Sequence, residues 1–148
     1  MTEHPVESIL QYRFSNRDLL NEALLAAGAS ASTKELYSDV QGNKRLALVG
    51  DSVLQVAILE PWYDSNESTE EGFNKEKTLC RNTKLNQVAQ KSGLVTYVAK
   101  YPSQKGQVPQ ETAASTVEAV VGAVYLDCGK DIETVKRVLE AINFYGTT

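Results

Sequence analysis

Two cysteines and one histidine leave this chain little with which to hold a soft metal. Cys80 and Cys128 have no metal-type spacing, and His4 stands alone near the N-terminus. Neither a zinc site nor a disulfide framework follows from that pattern, and reduced thiols in an intracellular protein are expected. No apolar run reaches the roughly 18 residues of a membrane span. A basic excess is missing too. The net charge of −4 argues against gripping nucleic acid by bulk charge, although a groove needs only local charge. The opening MTEHPVESIL has no basic n-region, apolar h-region or Arg-rich amphipathic stretch. Cytoplasmic or nuclear placement is expected, with a mitochondrial one left open. Sustained period-two alternation is also absent, so no strand is expected.

What is present is helical patterning within 148 residues, a length that suits one domain with one core. The fold class expected is all-α, with six or seven helices in a single domain over 1–148. Val6, Ile9, Leu10 and Phe14 start a short amphipathic segment behind Pro5. Ser15 is placed to cap the next helix, with Asp18 in capping-box spacing. Gly28 to Gly42 and Tyr101 to Pro109 read as loops. A long helix is expected from about Glu70 to Ser92, with Phe73, Leu79, Leu85 and Val88 as apolar anchors and Gly93 at its end. Leu94 to Ala99 suits a short helical turn, and Asp131 to Phe144 an amphipathic helix.

Two further helices are apolar almost all round, which marks them as core helices. Residues 43–60 carry Leu46, Leu48, Val49, Val53, Leu54, Val56 and Ile58, and Pro61-Trp62 marks the helix's end or a kink. Thr112 to Tyr125 has the same character. Each holds a conspicuous acid, Asp51 in the first and Glu118 in the second. An ionised carboxylate buried without a partner costs several kcal/mol, so each acid should meet a cation, a metal or a donor. If the two helices pack together, the acids converge, and an oxygen-only pair suits a hard cation such as Mg²⁺. The alternative is that each acid lies at a helix edge and faces water.

The segment Asn43-Lys44-Arg45-Leu46-Ala47-Leu48-Val49-Gly50-Asp51-Ser52-Val53-Leu54 resembles the signature of the ribonuclease III family, which runs Asn-Glu-Arg-Leu-Glu-Phe-Leu-Gly-Asp-Ser-Val-Leu. Residues 116–127, TVEAVVGAVYLD, are similar to the family's second catalytic helix. Ile9 to Phe14, Asp18 to Leu20, Glu22 to Leu24, Arg81-Asn82 and Gly93-Leu94 fit its flanks. The likeness covers roughly residues 6 to 140. It implies an all-α homodimer that cuts double-stranded RNA. Four acids per domain would hold Mg²⁺ or Mn²⁺, and a metal-activated water would attack the phosphodiester. No double-stranded-RNA-binding domain accompanies the likeness.

The chain departs from that pattern at the site itself. Asp51 and Glu118 keep two acid positions, whereas Ala47 and Ser115 occupy the other two, and Lys44 stands where a further Glu is usual. Ala47 offers no ligand, and the Ser115 hydroxyl is a poor one; Glu111, a turn earlier, is a weak compensator. Lys44, Ala47 and Asp51 share a helix face, so Lys44 is placed to reach toward Asp51 and take part of the metal's place. Three readings follow from the resemblance. One is a domain that binds structured RNA or a partner with little or no cleavage. The second is a weak Mg²⁺-dependent endoribonuclease using Asp51 and Glu118. The third is a structural or protein-interaction role, as for ribonuclease III-like proteins of the large mitochondrial ribosomal subunit. A homodimer is expected, with a heterodimer with an active paralogue left open. Lys75, Lys77, Arg81 and Lys84, with Lys91, Lys100 and Lys105, either face an RNA backbone or form a solvated face diluted by Glu70, Glu71 and Glu76. Trp62 suits core or dimer-interface packing.

Overall fold

Two glycines decide how this molecule is assembled. A Cβ added at Gly50 would lie 1.7 Å from the carbonyl oxygen of Glu118, and one at Gly122 would lie 2.3 Å from that of Leu46. The helices bearing these residues therefore touch backbone to backbone, a separation that no side chain tolerates. The computed structural model describes residues 2–27, 41–99 and 106–146. Most of the two expected loops, together with Lys100 and Lys105, lie outside the described residues.

Seven α-helices occur among the described residues: α1 (Pro5–Leu10), α2 (Arg17–Ala23), α3 (Lys44–Tyr63), α4 (Thr69–Cys80), α5 (Asn82–Ser92), α6 (Gln110–Asp127) and α7 (Ile132–Ala141). A 3-10 turn over Leu94–Tyr97 follows α5. No strand forms among these residues beyond a parallel bridge between Leu25 and Ala99, and no helix is long and apolar enough to cross a membrane. The all-α expectation holds. Helix α6 is the central rod, with Ala113, Ala114 and the run Ala119–Val124 buried, and α2, α3, α5 and α7 all pack on it. Its Val-rich surface sits in a helix because burial on all sides outweighs the weak helix preference of β-branched residues. Asn43, only 2% exposed, ties the elements at one end. Its Nδ2 donates to the Ala23 carbonyl at 2.9 Å and toward Thr116 Oγ1 at 3.4 Å.

Several local expectations need correction. Asn16, not Ser15, caps α2, with its side-chain oxygen accepting from the Asp18 N–H. The Ser15 and Asn16 N–H groups instead donate to Asp127 at the end of α6, at 2.9 and 2.8 Å. A carboxylate supplied from another helix thus serves the positive end of α2. The helix expected over 70–92 breaks at Arg81, whose backbone is extended (φ −72°, ψ 152°). Anchors six residues apart point roughly 120° away from one another on a straight helix, so Phe73, Leu79 and Leu85 cannot share one buried face. The break lets Leu85, Val88 and Ala89 reach the core, while Phe73 stays 59% exposed. Helix α3 runs through Pro61 to Tyr63. The 3-10 turn stops short of Ala99, which pairs with Leu24 and Ala26.

A second buried acid escaped the sequence reading. Glu7 is fully buried; it accepts from the His4 and Phe14 N–H groups, both at 2.8 Å, and from the Arg17 guanidinium at 2.9 Å. Burial pushes its carboxyl up, but the two backbone donors and Arg17 outweigh that and hold it below the usual range. His4 caps α1 through its ring nitrogen, which gives the lone histidine a structural task.

Candidate functional site

The glycine crossing places the two helix acids side by side. Asp51 follows Gly50, and Gly50 rests on the backbone of Glu118. Both carboxyls are half-buried. Burial first, then the charge of Asp51, then a hydrogen bond to Asp51 push the Glu118 carboxyl up to about 7. Two like charges this close oppose each other's ionisation, and Glu118 bears the cost. The Gln55 amide, one turn along α3, donates to Asp51 Oδ2 at 3.3 Å. Helix α4 closes the site on a third side. Burial pushes its Cys80 thiol up to about 12, with Glu76, Asp51 and Glu118 adding to the effect. The thiol is thus neutral and no nucleophile.

Lys44 does not answer the buried charge as the sequence suggested. It is exposed, and no ion pair among the described residues includes Lys44, Asp51 or Glu118. Lysine at the first turn of α3 sits seven residues from Asp51, about 10 Å along the axis, and water competes for its ammonium. Gln55, by contrast, is a helical neighbour of Asp51 at i+4. That spacing is visible in the sequence and could have singled Gln55 out.

A family model described as Ribonuclease-III-like matches residues 16–143. The chain belongs to the ribonuclease-III-like family. Ribonuclease 3 of Shewanella oneidensis is 34% identical over 141 residues, covering 92% of this chain and 57% of that protein. Ribonuclease 3 of Vibrio vulnificus is 32% identical over 151 residues, covering 97% and 61%. The chain thus spans somewhat over half the length of these relatives. The nuclease domain of ribonuclease III from Campylobacter jejuni superposes with a TM-score of 0.78 at 22% identity, covering 93% of this chain and 94% of that one. That structure is described for flexibility in a region involved in dimer formation. A crystal structure of the same nuclease domain gives 0.77 at 20% identity. At such identity these structures speak for the fold.

A ribonuclease-III-like chain raises the question of a divalent ion at the crossing. The residues present do not fit one. Among the described residues no group of three or more His, Cys, Asp or Glu side chains could hold a metal ion. The positions beside the two acids are Ala47, a methyl only 8% exposed, and the half-buried Ser115. Glu111 is exposed, a turn away. Two carboxyls offer few oxygens to a hard cation that wants six.

The basic residues divide. Lys75, Arg81 and Lys84 line one cleft of about 800 Å³ between α4, α5 and the stretch at Tyr145-Gly146. Within it Lys75 pairs with Glu67 at 2.7 Å, and Lys84 donates to the Gly146 carbonyl at 2.8 Å. Lys77 lies elsewhere, its ammonium 4.9 Å from the Phe73 ring centroid. A separate feature of the ribonuclease-III-like fold here is an apolar face on α3. Leu48 is 75% exposed and Val56 50%, beside a groove of about 490 Å³ lined also by Val49, Val53, Tyr125 and Ile132.

Proposed function

We propose that this chain is a ribonuclease-III-type domain that binds structured or double-stranded RNA as a homodimer and has lost most or all cleavage. One observation carries the reading: where the family resemblance expects a cluster of acids, two half-buried carboxyls stand with a methyl and a hydroxyl at the other two positions. Phosphodiester hydrolysis needs a water made nucleophilic and a cation on the developing charge. Two carboxyls without their partner acids hold such a cation poorly. Binding does not need them. An A-form duplex is recognised largely through its backbone and shape, and Lys75, Arg81 and Lys84 offer cations along one cleft. The exposed Leu48 beside an apolar groove on the same face suits an isologous interface, in which each copy gives a knob and receives one. Large exposed apolar residues grouped in this way mark an interaction surface.

Fluorescence anisotropy with a labelled double-stranded RNA, paired with gel analysis of products in Mg²⁺, tests the reading. Salt-dependent binding without defined products is the expected result. Defined Mg²⁺-dependent products that vanish in Asp51→Asn would replace it with a weak endoribonuclease. Absence of RNA binding, with a protein complex that survives nuclease treatment, would replace it with a structural role.

A further inference from the structure

The cleft between α4 and α5 is lined by cations, yet two of them are already engaged by the protein itself. Lys84 donates to the Gly146 carbonyl at 2.8 Å, and Lys75 pairs with Glu67 at 2.7 Å. In both contacts an oxygen of this chain stands where a ligand's oxygen would sit. Arg81, exposed at the break between the two helices, enters no ion pair among the described residues. The Glu67–Lys75 pair differs from a chance surface contact in its placement. Glu67 belongs to the connector between α3 and α4, eight residues before Lys75, so the pair joins two elements rather than one helix turn. The connector is fixed on both sides of Glu67. The Glu67 N–H donates to Ser65 Oγ at 3.1 Å, and that hydroxyl donates to the Trp62 carbonyl at 2.6 Å. The Ser68 carbonyl accepts from Trp62 Nε1. Glu71, the other acid of the cleft, is committed to capping α4, where it accepts from the Ser68 N–H at 2.9 Å. Glu67 is thus the acid held in position to take Lys75.

The pair is also a partition. Glu67, Lys75, Leu79 and Tyr145 line both the cleft of about 800 Å³ and a second cavity of about 530 Å³. Arg81 and Lys84 lie on the first side, Lys136 and Arg137 on the second, and Lys75 stands between them. Lys136 is held by Glu60 and Glu133. Arg137 donates to Thr134 Oγ1 at 3.0 Å, which leaves other guanidinium donors for a ligand. Cations spaced along one groove suit a run of phosphates, each neutralised in turn. While Glu67 holds Lys75, the middle of that row carries no net charge. An exposed ion pair contributes little net stability, so a polyanion can displace the carboxylate. We propose that the two cavities form one trough for a run of phosphates, as in inorganic polyphosphate or an RNA backbone, and that Glu67 gates it by holding Lys75 until a phosphate takes its place. As a regulator of RNA the gate rests on the RNA-binding reading above; the trough itself needs only phosphates.

Isothermal titration calorimetry with inorganic tripolyphosphate tests the gate, and fluorescence anisotropy with labelled double-stranded RNA takes the same variants to RNA. Glu67→Gln should tighten tripolyphosphate binding about three- to tenfold, by freeing Lys75 and by removing a repelling charge. A Lys75→Ala background separates the two effects, and there the same change should give less than about twofold. Lys75→Ala alone should weaken binding by less than about twofold, because Glu67 already occupies that ammonium, whereas Arg81→Ala should cost about threefold or more. Circular dichroism checks that the helices are kept in each variant. An equal gain with and without Lys75 would overturn the gate and reduce Glu67 to a repelling charge. No gain from Glu67→Gln, or no tripolyphosphate binding by the wild type and this variant alike, would overturn it too. Gated binding of tripolyphosphate without binding of RNA would remove the RNA reading and leave the gate standing. RNA binding that Glu67→Gln does not change, with no tripolyphosphate binding, would do the reverse.

Discussion

Glu118→Gln removes the titrating carboxyl while keeping the side chain's shape. The wild-type carboxyl titrates near 7 when folded, against an ordinary glutamate value near 4.5. The folded state thus holds a proton that the unfolded chain has released, and stability falls as pH rises through that window. The contribution is full below about 4.5 and gone above about 7. A gap of that width corresponds to roughly 3 kcal/mol. Solvent screening at a half-buried position reduces it to about 1–2 kcal/mol. For a chain of this length that is a drop of about 3–6 °C in melting midpoint. The carboxyls of Glu7, Glu71 and Asp131 are shifted the other way, so their stabilisation is lost on acidification below the ordinary carboxylate range and leaves this window clear. Scanning calorimetry from weakly acidic to weakly alkaline buffer should show the decline in the wild type and a flat profile in Glu118→Gln. Parallel profiles would refute the assignment of the proton to this pair.

Three further outcomes follow from the structure. Gly50→Ala would drive a methyl into the Glu118 carbonyl, 1.7 Å away, and should cost about 3 kcal/mol or more by urea unfolding; a loss under about 1 kcal/mol would mean that the helices can part. Leu48→Glu should convert a dimer to a monomer in analytical ultracentrifugation without lowering helicity, and a monomeric wild type would remove the assigned interface. Ala47→Glu combined with Ser115→Asp should raise Mg²⁺-dependent cleavage of double-stranded RNA above the wild type. No gain would show that the site has drifted beyond its acids.

Much of the fold was legible because helix patterning is local. Helices α3 and α6 are apolar all round, and only a core helix tolerates that, so their packing on each other, with Asp51 brought near Glu118, stood as one of two readings. The misreadings share a cause: each depended on which element supplied a partner. Asp127 accepts the N–H groups just before a helix more than a hundred residues earlier in the chain. Glu7 looks like an ordinary exposed acid until Arg17 and Phe14 fold over it. The break at Arg81 was hidden because no Pro or Gly marks it, although the six-residue spacing of the anchors already argued against one straight helix. At the site, sequence spacing drew attention to Lys44, which shares a face with Asp51. Side-chain reach and solvent decided otherwise, in favour of Gln55.

The packing of Trp62 has a practical consequence. The indole lies against Gly72, where a Cβ would come within 2.5 Å of the ring, and its Nε1 donates to the Ser68 carbonyl at 2.9 Å. It is the single tryptophan of the chain, so intrinsic emission has one source. That source sits at the junction of α3 and α4, the same two helices that carry Asp51 and Cys80 toward their other ends. Separation of these helices would expose the ring to water and shift its emission to the red. The protein therefore carries a built-in optical gauge of whether the helices around its acid pair are closed.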